Sequence, residues 1–256
     1  MRAFFEFFKK EWLELIRTGK FLILGIVFLI FGISNPAIAK LTPWLMEIMS
    51  EDLSKMGLTV SEVIVNDLSS WTQFFKNISM IIIVLLIMFS DTISKEYQKG
   101  TLIPIFTKGI SPHTILAAKT ALIFVCWTVG YWCTVGITYG YNAYFWGNEI
   151  AEHIGFALLC YYLFGIWLIS VLVFMTSVFQ SNIGVLIGTA AVFGVNFVGT
   201  MFSKIIDYLP GKLTVSGELL TGLAEPRAYG KSIVITIIIS MMELGIGYYL
   251  ISKKNL

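Results

Sequence analysis

Few side chains in this 256-residue chain are suited to catalysis or metal binding. His113 and His153 belong to no His-Glu-x-x-His motif, and the cysteines form no Cys-x-x-Cys pair. No serine stands in a Gly-x-Ser-x-Gly turn. Cys126, Cys133 and Cys160 lie in apolar runs, where cysteine behaves as a small hydrophobic residue. We therefore predict no catalytic, metal-binding or cofactor-binding residue in this chain, and no enzyme activity of its own.

The tripeptide at residues 230–232, Gly-Lys-Ser, looks like the end of a phosphate-binding loop. The first glycine of that motif would fall at position 225, where this chain has Glu225, and no strand is predicted before it. The match is therefore attributed to chance, and we expect no ATP binding by this chain.

One carboxylate, Glu243, stands near the middle of the apolar run 232–252. A carboxylate at membrane depth is costly and usually faces a bundle interior or a water-filled cavity. Two interpretations stay open for this intramembrane polar candidate. It takes part in proton coupling or substrate contact, or it makes a structural hydrogen bond to a neighbouring helix.

The composition indicates the environment in which these residues lie. The chain is 57% hydrophobic and 13% charged, with a mean hydropathy of +0.81, whereas soluble domains carry about 25% charged residues. This excludes a soluble enzyme, a disordered chain and a secreted disulfide scaffold. The net charge of +2 is too small to indicate nucleic-acid binding. We predict an all-α integral membrane protein.

Charge-free apolar runs predict six transmembrane helices within a single domain, residues 1–256. The second run needs the aromatic residues Trp71, Phe74 and Phe75 to reach spanning length, with Lys76 snorkelling to the interface. A polar turn at residues 180–182 separates the fourth helix from the fifth. The predicted spans are about 21–39, 74–90, 116–141, 154–179, 183–203 and 232–252.

The lead segment, residues 1–19, is predicted to be an amphipathic helix in the membrane interface, with Phe4, Phe8 and Trp12 on its apolar face. It serves either as an anchor or as an elbow that transmits movement, and the sequence leaves both open. A cleaved signal peptide ending near residues 37–39 is the alternative. Three carboxylates argue against it, namely Glu6, Glu11 and Glu14.

The distribution of basic residues predicts the orientation. Eleven of the 18 lysines and arginines fall on the side of the bundle that holds both termini. The positive-inside rule therefore places both termini in the cytoplasm. On the opposite side, residues 205–231 contain a mildly apolar stretch too short to cross the membrane. This stretch either re-enters the membrane or caps the bundle.

The loop at residues 91–115 carries a compact pattern. Glu96 is followed by Gly100-Thr101, then by an apolar patch, a Ser-Pro turn and Lys119 at the next span. On residues alone, an ordinary solvated loop is favoured over a docking element. The pattern resembles the loop between the second and third spans of ABC exporter permeases of the second class. Those are six-span subunits that pair with a separate ATPase.

The resemblance implies a partner ATPase that binds ATP and magnesium, and a second copy of this chain, all within membrane lipid. It implies a place in a bacterial cell membrane and export of an amphipathic or lipophilic substrate, a small amphipathic or antimicrobial peptide first, then a drug or lipid. A stand-alone secondary transporter or channel that uses Glu243 is the alternative. The residues expected to contact the ATPase are Glu96, Lys99, Gly100, Thr101, Leu102, Ile105 and Phe106.

Overall fold

The computed structural model describes residues 2–55, 65–98, 111–215 and 217–253. These residues form helices and connecting turns, and there is no strand among them. The α-helices are α1 Arg2–Arg17, α2 Lys20–Lys55, α3 Asp67–Phe89, α4 Asp91–Gln98, α5 Pro112–Phe145, α6 Ile154–Val178, α7 Asn182–Thr200, α8 Gly217–Leu220 and α9 Gly230–Lys253. Three short 3-10 turns lie at Ile206–Tyr208, Pro210–Thr214 and Pro226–Tyr229.

Six of these helices are long and apolar enough to cross a membrane, which confirms the predicted number. They are α2, α3, α5, α6, α7 and α9. The predicted polar turn between the fourth and fifth spans also exists, because the Ser181 hydroxyl caps α7 by accepting a hydrogen bond from the Gly184 N–H at 3.1 Å. The protein is therefore an all-α, multi-pass membrane protein.

Several helices are longer than the charge-free runs from which they were predicted. The second span begins at Asp67, where position 74 was expected, because Asn66 caps it and the buried Asp67 carboxylate has partners of its own. That carboxylate accepts hydrogen bonds from the backbone N–H groups of Ile150 and Ala151, at 3.1 and 3.3 Å. Buried charges that are paired or hydrogen-bonded do not interrupt a helix, so charge alone mislocates its start.

The bundle is built around α6. In its most apolar window 67% of residues are buried, against 17% in α7 and in α9. Helix α6 packs on α7 and α9, while α2 packs on α3 and α5. Close approach of α5 to α6 depends on Gly165, since a Cβ there would lie 2.2 Å from the Trp127 ring. The two helix groups thus share one aromatic core at α5 and α6.

Helix α2 contains two prolines, Pro36 and Pro43, and the first of them has a specific compensation. Pro36 has no N–H, so the Gly32 carbonyl four residues earlier loses its helical partner. The Thr138 hydroxyl of α5 donates to that carbonyl at 3.1 Å. Neighbouring hydroxyls commonly satisfy backbone groups that a membrane proline frees. Helix α2 therefore passes Pro36 without an unpaired carbonyl at this point.

At the end of the bundle opposite α1, residues 201–215 and 217–229 form a structure that we call the cap. Its only α-helix in the described residues is the four-residue α8, which is far too short to span a membrane. The cap packs on α6, α7 and α9 and buries a set of apolar side chains. They are Leu213, Leu219, Leu220 and Tyr229.

Candidate functional site

Helix α1 presents three different faces. Phe7, Glu11 and Leu15 recur every four residues and are buried. Phe5, Leu13 and Ile16 form an exposed apolar strip. Apart from Ala3, the other exposed positions are charged, and they are Glu6, Lys9, Lys10, Glu14 and Arg17. A helix with one face on protein, one apolar and one charged is suited to the edge of a membrane, so α1 has the pattern predicted for residues 1–19.

The three aromatic residues proposed for the apolar face of α1 contact protein. Phe4 and Phe8 pack against a small cluster of Phe7 with two residues of α5, Ile115 and Ala118. Trp12 packs on Phe21 at the start of α2, with ring centroids 5.8 Å apart. The turn into α2 is made at Gly19, whose positive φ of 73° favours glycine.

A buried lysine joins three elements at the α1 end of the bundle. The Lys119 ammonium of α5 lies 2.8 Å from a carboxylate oxygen of Glu11 on α1. It also lies 3.2 Å from Glu96 on α4. The Lys119 and Glu11 side chains are 2% and 4% exposed, and Glu96 is 13% exposed. Glu96 and Lys119, the two ends of the sequence pattern, therefore meet in space, on the lead helix.

A second lysine lies on the outer side of these carboxylates. The Lys10 ammonium is 2.8 Å from Glu11, 3.0 Å from Glu96 and 3.2 Å from Glu14. Burial alone would lower the pKa of Lys10, but the hydrogen bonds and charges of Glu11 and Glu96 outweigh it and hold that pKa above its ordinary value. We call Lys10, Glu11, Glu14, Glu96 and Lys119 the ion-pair cluster.

A neighbouring lysine ties the loop to two spans. The Lys20 ammonium, at the start of α2, donates to the Met88 carbonyl in the last turn of α3 at 2.6 Å. It also pairs with Asp91 of α4 at 2.8 Å. Asp91 has a further partner within its own helix, Lys95. A cation on the last carbonyls of a helix is electrostatically favourable, so Lys20 stabilises the α3–α4 junction.

The cluster borders a cavity of about 200 Å³ that is lined mostly by charged side chains. Three carboxylates, those of Glu11, Glu14 and Glu96, bring oxygens within 4.8 Å of one another, as a cation site would. The ammonium groups of Lys10 and Lys119 already lie among them. The arrangement is therefore internally paired, and its chemical capacity is to hold α1, α4 and α5 together by charge.

Only the first of the residues expected to contact an ATPase is described by the structure. Glu96 lies near the end of α4, facing Lys10 and Lys119. The others lie outside the described residues, namely Lys99, Gly100, Thr101, Leu102, Ile105 and Phe106.

Glu243, the intramembrane candidate, lies on α9 and is half-buried. One of its carboxyl oxygens has no hydrogen-bond partner among the described residues. Trp167 of the central helix α6 is adjacent, yet its buried indole N–H likewise makes no hydrogen bond within that part of the chain. The two side chains are neighbours, and Glu243 lies apart from the ion-pair cluster.

A polar contact between spans was not predicted from the sequence. Asn35 of α2, which is buried, accepts a hydrogen bond from Asn77 of α3 at 2.9 Å and donates to Thr138 of α5 at 3.5 Å. The signal available was an uncharged amide inside each of two apolar runs. Because amides do not interrupt a charge-free run, counting charges overlooked them.

Comparisons with known proteins agree with a membrane protein and give no activity. The chain is 23% identical to the uncharacterized transmembrane protein YxlG of Bacillus subtilis (strain 168) over 258 residues, covering 94% of each chain. No model of a protein family matches the chain, and no solved structure matches it. The class of protein is thus a multi-pass transmembrane protein with a distant bacterial relative of matching length.

Proposed function

We propose that this chain is the transmembrane permease subunit of an ATP-driven ABC exporter. A separate ATPase subunit would bind ATP and magnesium and hydrolyse the nucleotide, and a second copy of the chain would complete the pathway. The substrate is amphipathic or lipophilic, with a small amphipathic or antimicrobial peptide as the first candidate, then a drug or a lipid. The membrane would be the cell membrane, with both termini in the cytoplasm.

The observation that carries the proposal is the position of Lys119 between Glu11 and Glu96. Glu96 begins the segment whose pattern resembles an ATPase-contacting loop. A buried ion pair is expensive to break, because each partner is left as an uncompensated charge. A displacement of α4 by a docked ATPase would therefore be passed to α1 and α5 rather than absorbed locally.

The sequence beyond α4 supports the docking step. Leu102, Ile105 and Phe106 form an apolar patch in an otherwise polar loop, as expected of a segment that inserts into a groove on a partner. Glu96 and Lys99 at its start would orient it by charge.

The test is co-expression with whichever ABC ATPase is found encoded beside this chain, purification in nanodiscs, and measurement of complex formation and ATP turnover. We expect a stable complex in which Glu96→Gln uncouples ATP turnover from substrate. The matched control is Glu14→Gln, which removes an exposed member of the same cluster and should leave coupling intact. Absence of any complex with the wild-type chain would overturn the proposal.

A stand-alone transporter that uses Glu243 is the second candidate. It is favoured by the carboxyl oxygen of Glu243 that lacks a hydrogen-bond partner in the described residues. Ion-driven solute uptake by the purified chain in vesicles, abolished by Glu243→Gln, would replace the exporter proposal with this one.

A further inference from the structure

An apolar groove runs between α1, α2 and α5, on the outside of the bundle. It has a volume of about 230 Å³. Its walls include Trp12, Phe21, Gly25, Leu29, Val129 and Cys133. The space above Gly25 is open, since a Cβ built there meets no atom within 4 Å. The groove is therefore a gap between helices that no side chain of the described residues fills.

Its depth matches one leaflet of a bilayer. The lining of α2 runs from Phe21 to Leu29, about 12 Å at 1.5 Å per residue. The hydrocarbon core of a bilayer is about 30 Å thick, so the groove extends from the α1 end nearly to its middle. A gap with apolar walls at this depth is solvated by hydrocarbon, because lipid chains are the solvent there and the walls offer almost nothing for water to bond.

The mouth of the groove lies at α1, where the side chains change character. Trp12, which packs on Phe21, closes this end, and tryptophan is typical of the membrane–water interface. Lys9 and Arg17 of α1 are exposed and form no ion pair with any described residue. Lys9 stands three positions before Trp12 and Arg17 four positions before Phe21, so both cations are close in sequence to residues that line the groove. Among the described side chains of α1 outside the cluster, Glu6 is the other exposed charge, and it stands six positions before Trp12.

We propose that this groove binds one acyl chain of an anionic glycerophospholipid. The headgroup phosphate lies at α1, where Lys9 and Arg17 supply the opposite charge, and the chain descends between α2 and α5 over Gly25. Juxtamembrane basic residues attract anionic lipid within a Debye length of the surface. This site is separate from the exporter proposal and does not depend on it.

The test uses the whole chain in nanodiscs of phosphatidylglycerol and phosphatidylcholine, followed by detergent extraction and native mass spectrometry. We expect the wild type to retain one phosphatidylglycerol. Gly25→Leu fills the open space and should lower retention about tenfold or more. Gly136→Leu is the matched control, because Gly136 likewise has open space above it but lies outside the groove.

Two further variants keep the test decisive. Val129→Phe narrows the groove from the α5 wall and stands in if Gly25→Leu does not fold. Replacing Lys9 and Arg17 together by glutamine should leave a lipid chain bound but abolish the preference for phosphatidylglycerol. This separates the acyl site from the headgroup site.

Three results would overturn the proposal. The first is retention unchanged by both groove-filling variants. The second is equal retention of the two lipids by the wild type. The third is efficient cross-linking of Cys133 between two chains, absent in Cys133→Ser, with no lipid retained. That result would assign the groove to a second copy of the protein.

Discussion

The two ends of the bundle are held together in different ways. At the α1 end, buried charges connect elements far apart in the chain, and Lys119 and Glu11 are separated by 108 positions. At the cap, Lys212 pairs with Asp207, five residues earlier, and donates a hydrogen bond to the Ala228 carbonyl at 2.7 Å; Lys212 is 13% exposed and Asp207 is 45% exposed. Close packing does more there: a Cβ at Gly211 would lie 2.3 Å from the Asn196 side chain.

The difference shows where movement can be transmitted. An ion pair with an exposed carboxylate contributes little to stability, and the groups that Lys212 bonds, Asp207 and Ala228, both lie within the cap. Buried pairs between distant elements leave unpaired charge if the elements separate, so those elements move together or at high cost. A displacement at the α1 end is therefore expected to be passed between α1, α4 and α5. The cap is expected to keep its position on the bundle.

The largest effect is expected from Lys119→Met. It leaves the buried Glu11 carboxylate without its main partner, and breaking such a pair typically costs 3–5 kcal/mol. Because Lys10 remains 2.8 Å from Glu11, we expect about 3 kcal/mol, the lower end of that range. Denaturant unfolding of the solubilised protein measures this loss in the free energy of unfolding. Lys212→Met at the cap is the matched control and should have a far smaller effect; equal effects would remove the distinction between the two ends.

Next in size is Gly211→Ala, which attacks the cap by packing. The added methyl meets Asn196 and Thr200 of α7, and overpacking of this kind costs about 1–3 kcal/mol. Limited proteolysis should then cut within the cap first. Gly217→Ala is the control, since its Cβ would meet no atom within 4 Å. If Gly211→Ala were as stable as the wild type, the cap would have to accommodate the added methyl group without loss of stability.

The middle of the bundle is tested by Asn77→Leu. This change removes the hydrogen bond to Asn35, and such bonds within membranes contribute about 1 kcal/mol. Combining Asn77→Leu with Asn35→Leu should cost less than the sum of the single changes, because both remove the same contact. If the double variant lost as much unfolding free energy as the two single variants lose together, the contact would contribute nothing to stability.

The smallest effect is expected at Asp207 and depends on pH. The hydrogen bond and charge of Lys212 lower the pKa of Asp207 below its ordinary value. The carboxylate therefore stabilises the folded state above the unfolded pKa of about 3.9, and this contribution is lost as the pH falls through the folded value. Asp207→Asn should be slightly less stable than the wild type at pH 6 and equal to it in strong acid. A difference that does not depend on pH would contradict this origin.

The number of spans was predictable because charge is costly in lipid, so that charge-free apolar runs in the sequence mark the spans. The ion-pair cluster at the α1 end was only partly predictable from the sequence. Glu11 stands four residues from both Phe7 and Leu15, so its position on the buried face could have been inferred. Its partner could not, since Lys119 lies in another span and nothing local indicates the contact. Glu96 was a candidate only because its loop resembles that of a known family. Its position beside Lys10 depends on tertiary packing.

The same distinction explains the helix ends. The turn at Ser181 was predicted because a polar cluster interrupts an apolar run. The start of α3 at Asp67 was not, because one oxygen of its carboxylate accepts hydrogen bonds from backbone N–H groups 83 and 84 positions away. Local signals fix where chains turn, whereas long-range partners decide which charges a membrane helix tolerates.

Residues 36 and 138 depend on each other although they lie in different spans. With proline at 36, Thr138→Val would leave the buried Gly32 carbonyl without a donor, whereas a residue at 36 with its own N–H would not need the hydroxyl. The cost of a change at 138 in α5 is therefore set by the residue at 36 in α2.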